Sequence, residues 1–265
     1  MSSFLESYPL IIAGGFVVGF LVGMTGVGAG SLMTPFLITQ VGVQPALAVG
    51  TDLLFASITK ASAAAPHHSF GNVNWRIVRW LAAGSVPGAL ATLALLNYLN
   101  PDVAALASLI KRGLVTALVL SATAILVYPL LRGHTWRLEP EPSDMPMRPL
   151  PTLLLGLVLG SIVTLTSVGA GAIGVVVLTL LYPKLMTRRL IGTDIVHAVP
   201  LTLVSGLGHM SIGNSDLGLL GLLLVGSLPG IALGSRLTGR LPDQVLRLAL
   251  AAILILAATA LYAKI

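Results

Sequence analysis

The sequence predicts an all-α polytopic membrane protein with two inverted-topology repeats, each a short-helix hairpin followed by three transmembrane helices. Three observations predict it. First, the 265 residues are 55% hydrophobic and only 9% charged, with a mean hydropathy of +0.96, whereas a soluble domain carries about 25% charged residues. Second, the apolar runs are continuous, near the roughly 20 residues of a spanning helix, and lack the alternation of barrel strands. Third, four motifs recur in one order at a spacing of 141 or 142 residues. TGVGAG (Thr25–Gly30) returns as TSVGAG (Thr166–Gly171), 141 residues on. GTD (Gly50–Asp52) returns at Gly192–Asp194, His67-x-x-x-Gly71-Asn72 as His209-x-x-x-Gly213-Asn214, and GSVPG (Gly84–Gly88) as GSLPG (Gly226–Gly230), each 142 residues on. Such order marks a duplication. The halves are 1–131 and 150–265, joined by a linker at 132–149 too rich in proline and charge to enter a membrane.

Each half divides into five apolar elements. In the first half they fall at about 8–23, 31–41, 44–65, 77–98 and 106–131. The first follows MSSFLES, which has neither a basic n-region nor a small-residue cleavage site, so it reads as a membrane segment and not a signal peptide. The Gly-rich motif separates it from the short second element. The third carries GTD, the fourth carries GSVPG, and the fifth follows Asn100-Pro101-Asp102. The second half repeats the pattern at about 150–165, 172–182, 190–208, 217–237 and 245–262.

The first two elements of each half are shorter than a full span. They form either one broken helix, giving parallel halves, or a hairpin returning to its own side, giving inverted halves. With the linker in the cytoplasm, the hairpin arrangement puts Arg76, Arg79, Arg132, Arg137, Arg148, Lys184, Arg188, Arg189, Arg236, Arg240 and Arg247 inside. It leaves Lys111, Arg112 and Lys264 outside. The broken-helix arrangement shows no such bias, so the positive-inside rule selects the inverted one. Inverted repeats with paired, Gly-interrupted segments point to a secondary transporter with its site near the midplane. The basic residues sit singly or in pairs between apolar runs, as loop anchors; no nucleic-acid partner is expected.

The two Gly-rich breaks are the candidate substrate site. Thr25, Gly26, Gly28, Gly30 and Ser31 in the first, and Thr166, Ser167, Gly169 and Gly171 in the second, combine sharp turns, hydroxyl donors and helix N-termini. Two such ends converging can hold an anion without Arg or Lys. The alternative for these glycines is tight helix packing, which suits Gly19 and Gly23. A nucleotide-binding loop is not expected, because no Gly-Lys-Ser/Thr follows.

A charge at the bilayer centre costs at least about 2.5–3.5 kcal/mol and is usually functional. Asp52 and Asp194 are candidates for proton coupling, or for locking the GTD turn to a neighbouring helix. Lys60 is a coupling candidate that could instead reach the interface. His197, three residues after Asp194, shares its face and could pair with it. His67 and His209 precede Gly-Asn turns and are gate candidates or turn residues. Trp75, Trp80 and Trp136 suit interfacial belts. Without cysteine, and with no third ligand spaced near His67-His68, neither a metal nor a cofactor is expected.

Together, GTDLLFASITK (50–60), HHSFGNVNW (67–75), GSVPG, GTDIVHAVPLTLVSGLGH (192–209), GSLPGIALGSRL (226–237) and LPDQVLR (241–247) resemble the sulfite exporter TauE/SafE family of bacterial membrane permeases. The resemblance covers the chain except the linker. Asn74 departs from it, standing where the family usually has Asp before Trp. The resemblance implies a permease in the bacterial inner membrane for a small sulfur-containing anion, such as sulfite or an organosulfonate, with import and export both open. The expectation is a proton-coupled secondary transporter working by alternating access, with a homodimer open as an assembly. The alternatives are a passive anion channel and, remotely, an intramembrane aspartyl protease using Asp52 and Asp194 as a dyad.

Overall fold

The glycines of the repeated motifs are where the helices touch. In a computed structural model of the chain, which describes residues 2–25, 30–99, 101–132, 146–237 and 242–265, the first half contains α1 (Ser2–Thr25), α2 (Gly30–Phe36), α3 (Pro45–Ser69), α4 (Trp75–Leu99) and α5 (Val103–Arg132). The second contains α6 (Pro149–Thr166), α7 (Ala172–Leu181), α8 (Thr187–Ser211), α9 (Leu217–Leu237) and α10 (Asp243–Tyr262). A five-residue π-helical turn, Leu37–Val41, extends α2. No strand occurs among the described residues. Among the described residues, seven helices are long and apolar enough to cross a membrane: α1, α4, α5, α6, α8, α9 and α10. α3 has 25 residues, as α8 does, but Asp52, Lys60 and several hydroxyl residues make it less apolar. It is buried almost throughout from Pro45 to Lys60.

The first element of each half is longer than the sequence predicts: α1 has 24 residues and α6 has 18. A helix propagates into polar sequence once nucleated, which carries α1 back to Ser2. Pro149 suits the first turn of α6, where a missing N–H costs nothing. Their partners α2 and α7 are short, with 7 and 10 residues. Most of the linker, 133–145, lies outside the described residues.

α1 and α9 lie backbone against backbone. A Cβ on Gly15, Gly19 or Gly23 would come within 2.8, 2.5 and 2.4 Å of the carbonyls of Leu223, Ser227 and Ile231. One on Gly226, Gly230 or Gly234 would come within 2.0, 2.3 and 2.2 Å of those of Ile12, Phe16 and Phe20. The numbers rise together, so the two helices run parallel. α4 and α6 repeat this: Gly84 and Gly88 lie on Leu153 and Leu157, and Gly156 and Gly160 lie on Leu81 and Ser85. Small residues allow this close approach without any hydrophobic drive. The GSVPG and GSLPG motifs are therefore packing faces.

The other pairs are opposed. Gly192 lies on Asn72, Gly206 on Leu54 and Gly50 on Asn214, so α3 and α8 run antiparallel. Lys111 Nζ donates to Lys264 O at 2.6 Å at one end of the α5–α10 pair, and Arg247 stands 5.7 Å from the Tyr128 ring towards the other. α3 opposes α8, α8 turns back into α9, and α9 parallels α1. α1 and α3 thus point the same way, and the chain between them folds back. The Phe36 ring accordingly fills the space beside Gly14, and Lys264 Nζ donates to Thr39 O at 2.8 Å. Met33, Leu37, Phe55, Leu118, Val168 and Leu254 share one apolar core, which therefore belongs to both halves.

Candidate functional site

The GTD motif splits into two parts that face different ways. Gly50 lies on the Asn214 carbonyl, and Thr51 Oγ1 accepts a hydrogen bond from Asp216 N at 3.0 Å. In mirror fashion, Gly192 lies on the Asn72 carbonyl, and Thr193 Oγ1 accepts from Asn74 N at 2.9 Å. Each Gly-Thr pair thus docks on the Gly-Asn turn of the opposite half. Those turns need positive φ at Gly71 (67°) and Gly213 (77°), which glycine supplies at little cost. Asn74 Oδ1 accepts from Arg76 N and Ile77 N at 3.1 and 3.3 Å, and Asp216 Oδ1 from Leu219 N at 3.0 Å. Asn74 caps α4 as a carboxylate would, so its departure from the family pattern leaves the turn intact.

The carboxylates point inward. Asp52 and Asp194 are each the eighth residue of their helix, because α8 begins at Thr187 and not near 190. Both are fully buried and too deep to cap an N-terminus. Thr34 of α2 donates to Asp52 Oδ2. The Ser167 hydroxyl also faces this carboxylate, yet neither Ser167 Oγ nor Asp52 Oδ1 meets a hydrogen-bond partner. Asp194 Oδ1 sits over Gly174 of α7, 2.2 Å from where a Cβ would be, and is likewise unpartnered.

The two Gly-rich breaks meet at this level. A Cβ on Gly30 would stand 1.9 Å from Ser167 O and 2.9 Å from Ser167 Oγ. The second break turns through left-handed Ser167 (φ 59°) and through Gly169 and Gly171 (φ 123° and 122°). Thr166 Oγ1 ties it by accepting from Val168 N at 3.2 Å. Thr25 Oγ1 donates to Leu21 O at 2.7 Å, closing the end of α1, and Ser31 is buried at the start of α2. Gly26 and Gly28 lie outside the described residues.

Lys60 is buried, so it does not reach the interface. Its Nζ donates to Ala170 O in the second break at 3.3 Å. It is the cation that acts on both Asp52 and Asp194. His197 does not pair with Asp194: its Nε2 is 2.8 Å from Ser85 Oγ, and its Nδ1 has no partner. His209 Nε2 is 2.9 Å from Thr164 O, and Thr164 Oγ1 is 2.7 Å from Ser205 Oγ. His67 is half-buried, with Nδ1 beside Gly192. The two gate candidates therefore sit against the opposite half's GTD, and His209 Cβ packs on Gly50.

The sequence reading passed over Thr34, Ser85, Thr164, Ser205 and the Ala170 carbonyl. Only Ser85 carried a signal, as the repeated Ser of GSVPG and GSLPG. Its counterpart Ser227 is buried with Oγ unpartnered, because the position matching His197 in the first half is Phe55. The centre is asymmetric although its frame is repeated. Among the described residues, no group of three or more His, Asp or Glu could hold a metal ion.

Among the described residues, seven helices long and apolar enough to cross a membrane, with Lys60, Asp52 and Asp194 buried in their midst, define a multi-pass membrane protein. The chain belongs to the sulfite exporter TauE/SafE family, whose model matches residues 11–261, and is a membrane transporter and not an enzyme. It is 36% identical to "Probable membrane transporter protein YjnA" of Bacillus subtilis, over 92% of this chain and 96% of that protein. It is 25% identical to "Probable membrane transporter protein YdhB" of the same organism, over 91% and 94% of the two chains. A "Probable membrane transporter protein" of Haemophilus influenzae is 24% identical over 94% and 96%. No solved structure matches the chain.

Proposed function

We propose that the protein carries a small sulfur-containing anion, such as sulfite or an organosulfonate, across the bacterial inner membrane by alternating access of two inverted halves, with protons as the coupling ion. The observation that carries this reading is the junction of the two breaks, Gly30 against Ser167, beside buried Lys60, Asp52 and Asp194. The opposed directions of α3 and α8, and of α5 and α10, support the inversion, since equivalent helices of parallel halves would run the same way. The family's description as sulfite exporters supports the substrate class. Buried carboxylates support a carrier over a channel, which has no need of groups that cost free energy to insert.

The test is counterflow of sulfite and sulfoacetate into liposomes holding purified protein, with and without an inward proton gradient, for wild type and Asp52→Asn. The expected result is saturable flux that follows the gradient in wild type and ignores it in the variant. Gradient-independent flux in wild type would remove proton coupling, and no flux of either anion would remove the substrate class.

A further inference from the structure

Lys60 is under-used. An ammonium has three N–H donors, and in a dry interior each needs an acceptor or costs free energy. Among the described residues one of the three has an acceptor, Ala170 O. Among the described residues no carboxylate comes within 4.0 Å of the Nζ, although Asp52 and Asp194 both act on it. In the same break, three residues before Ala170, the Ser167 hydroxyl is buried, faces Asp52 and makes no hydrogen bond. Lys60 and Ser167 thus both bear on the second break, against which Gly30 packs closely.

We propose that Lys60 Nζ and Ser167 Oγ are the ligands of the substrate's sulfite or sulfonate oxygens, and that the site accepts the anion only after Asp52 or Asp194 has taken up a proton, so that anion and proton travel in the same direction. This assignment rests on the anion-transport reading above and deepens it. The argument is one of charge. The charged and titratable groups acting around Lys60 are Asp52 on its own helix and Asp194 and His197 on α8. No charged side chain of α2, α5, α6, α7 or α9 acts on it. With both carboxylates ionised, the cluster carries one net negative charge and repels an anion. One proton makes it neutral, and the ammonium can then turn its spare donors to the substrate. Anion binding takes up a proton, so affinity rises as pH falls.

The experiment is titration calorimetry of purified protein in detergent with methanesulfonate, whose charge does not change near neutral pH, and with sulfite. Wild type is expected to bind more tightly as pH falls, by up to about tenfold per pH unit for one linked proton. Lys60→Gln and Ser167→Gly should each weaken binding, Lys60→Gln by about tenfold or more, the worth of a hydrogen bond to a charged group. Ser167→Gly keeps the left-handed turn, so it tests the site even if Lys60→Gln does not fold. An Asp52→Asn, Asp194→Asn double variant should bind with little pH dependence. Wild-type affinity in both Lys60→Gln and Ser167→Gly, or wild-type binding that tightens as pH rises, overturns the assignment while leaving anion transport standing. Failure of the wild type to bind either anion at any pH overturns both.

Discussion

A methyl group on Gly50 would stand 1.8 Å from Asn214 O, and one on Gly192 would stand 2.1 Å from Asn72 O. Backbone cannot step aside as a side chain tip can. Gly50→Ala and Gly192→Ala should therefore each destabilise the protein by about 1–3 kcal/mol, the usual cost of overpacking, read as a lower Tm in detergent. Gly221→Ala is the control: nothing lies within 4 Å of its Cβ position, and helix propensity should raise stability by up to about 1 kcal/mol. Gly30→Ala belongs with the first two, since its Cβ would strike Ser167 O: it should lower Tm by a similar amount, and the fraction that still folds should lose anion flux; wild-type flux per folded molecule would dissociate the breaks from the site. At this scale the sequence marked GTD by its repetition and left its carboxylates as coupling or locking candidates. It did not show that Gly and Thr seat on the other half while Asp points inward. The docking partner lies in the other half, and only the shared spacing of GTD and the His-x-x-x-Gly-Asn motif hinted at the pairing.

Helices α1 and α9 lie side by side with their glycines facing, as do α4 and α6. Gly19→Leu should force α1 from α9, since its Cβ position is already 2.5 Å from Ser227 O; the expected readout is aggregation at lower temperature in detergent. Leucine at neighbouring Val17, which is exposed on α1, should leave it unchanged. The small-residue spacing was legible in the sequence as a packing signal, and so was the length of α2 and α7. The direction of each pair was not, because periodicity fixes a face and not a partner. The start of α8 was misread for a physical reason. Arg188 and Arg189 resemble a loop in an apolar profile, yet charged residues are tolerated in a helical turn that stands outside the hydrocarbon. That shift brings Asp194 to the same position in its helix as Asp52.

For the whole molecule, side is the quantity to measure. The chain has no cysteine, so single introduced thiols report accessibility without background. Asp102→Cys should react with an impermeant reagent from outside the cell and Arg188→Cys only from the cytoplasmic side; the reverse pattern would turn the protein over. The duplication could be read from four motifs, and the placement of Arg and Lys favours the inverted arrangement of the halves. The asymmetry of the centre could be read only as mismatches, Lys60 against Thr202 and His197 against Phe55, whose meaning depends on which helices meet. The reciprocal seating of each Gly-Thr pair on the other half's Gly-Asn turn has one more consequence. Neither half brings its own counterpart to that seat, so neither is a complete folding unit, and the covalent tether supplies only proximity, as a high effective concentration. A gene severed within the codons for 133–145 and expressed as two fragments should yield a working pair when both are made in one cell, and two degraded fragments when they are made apart.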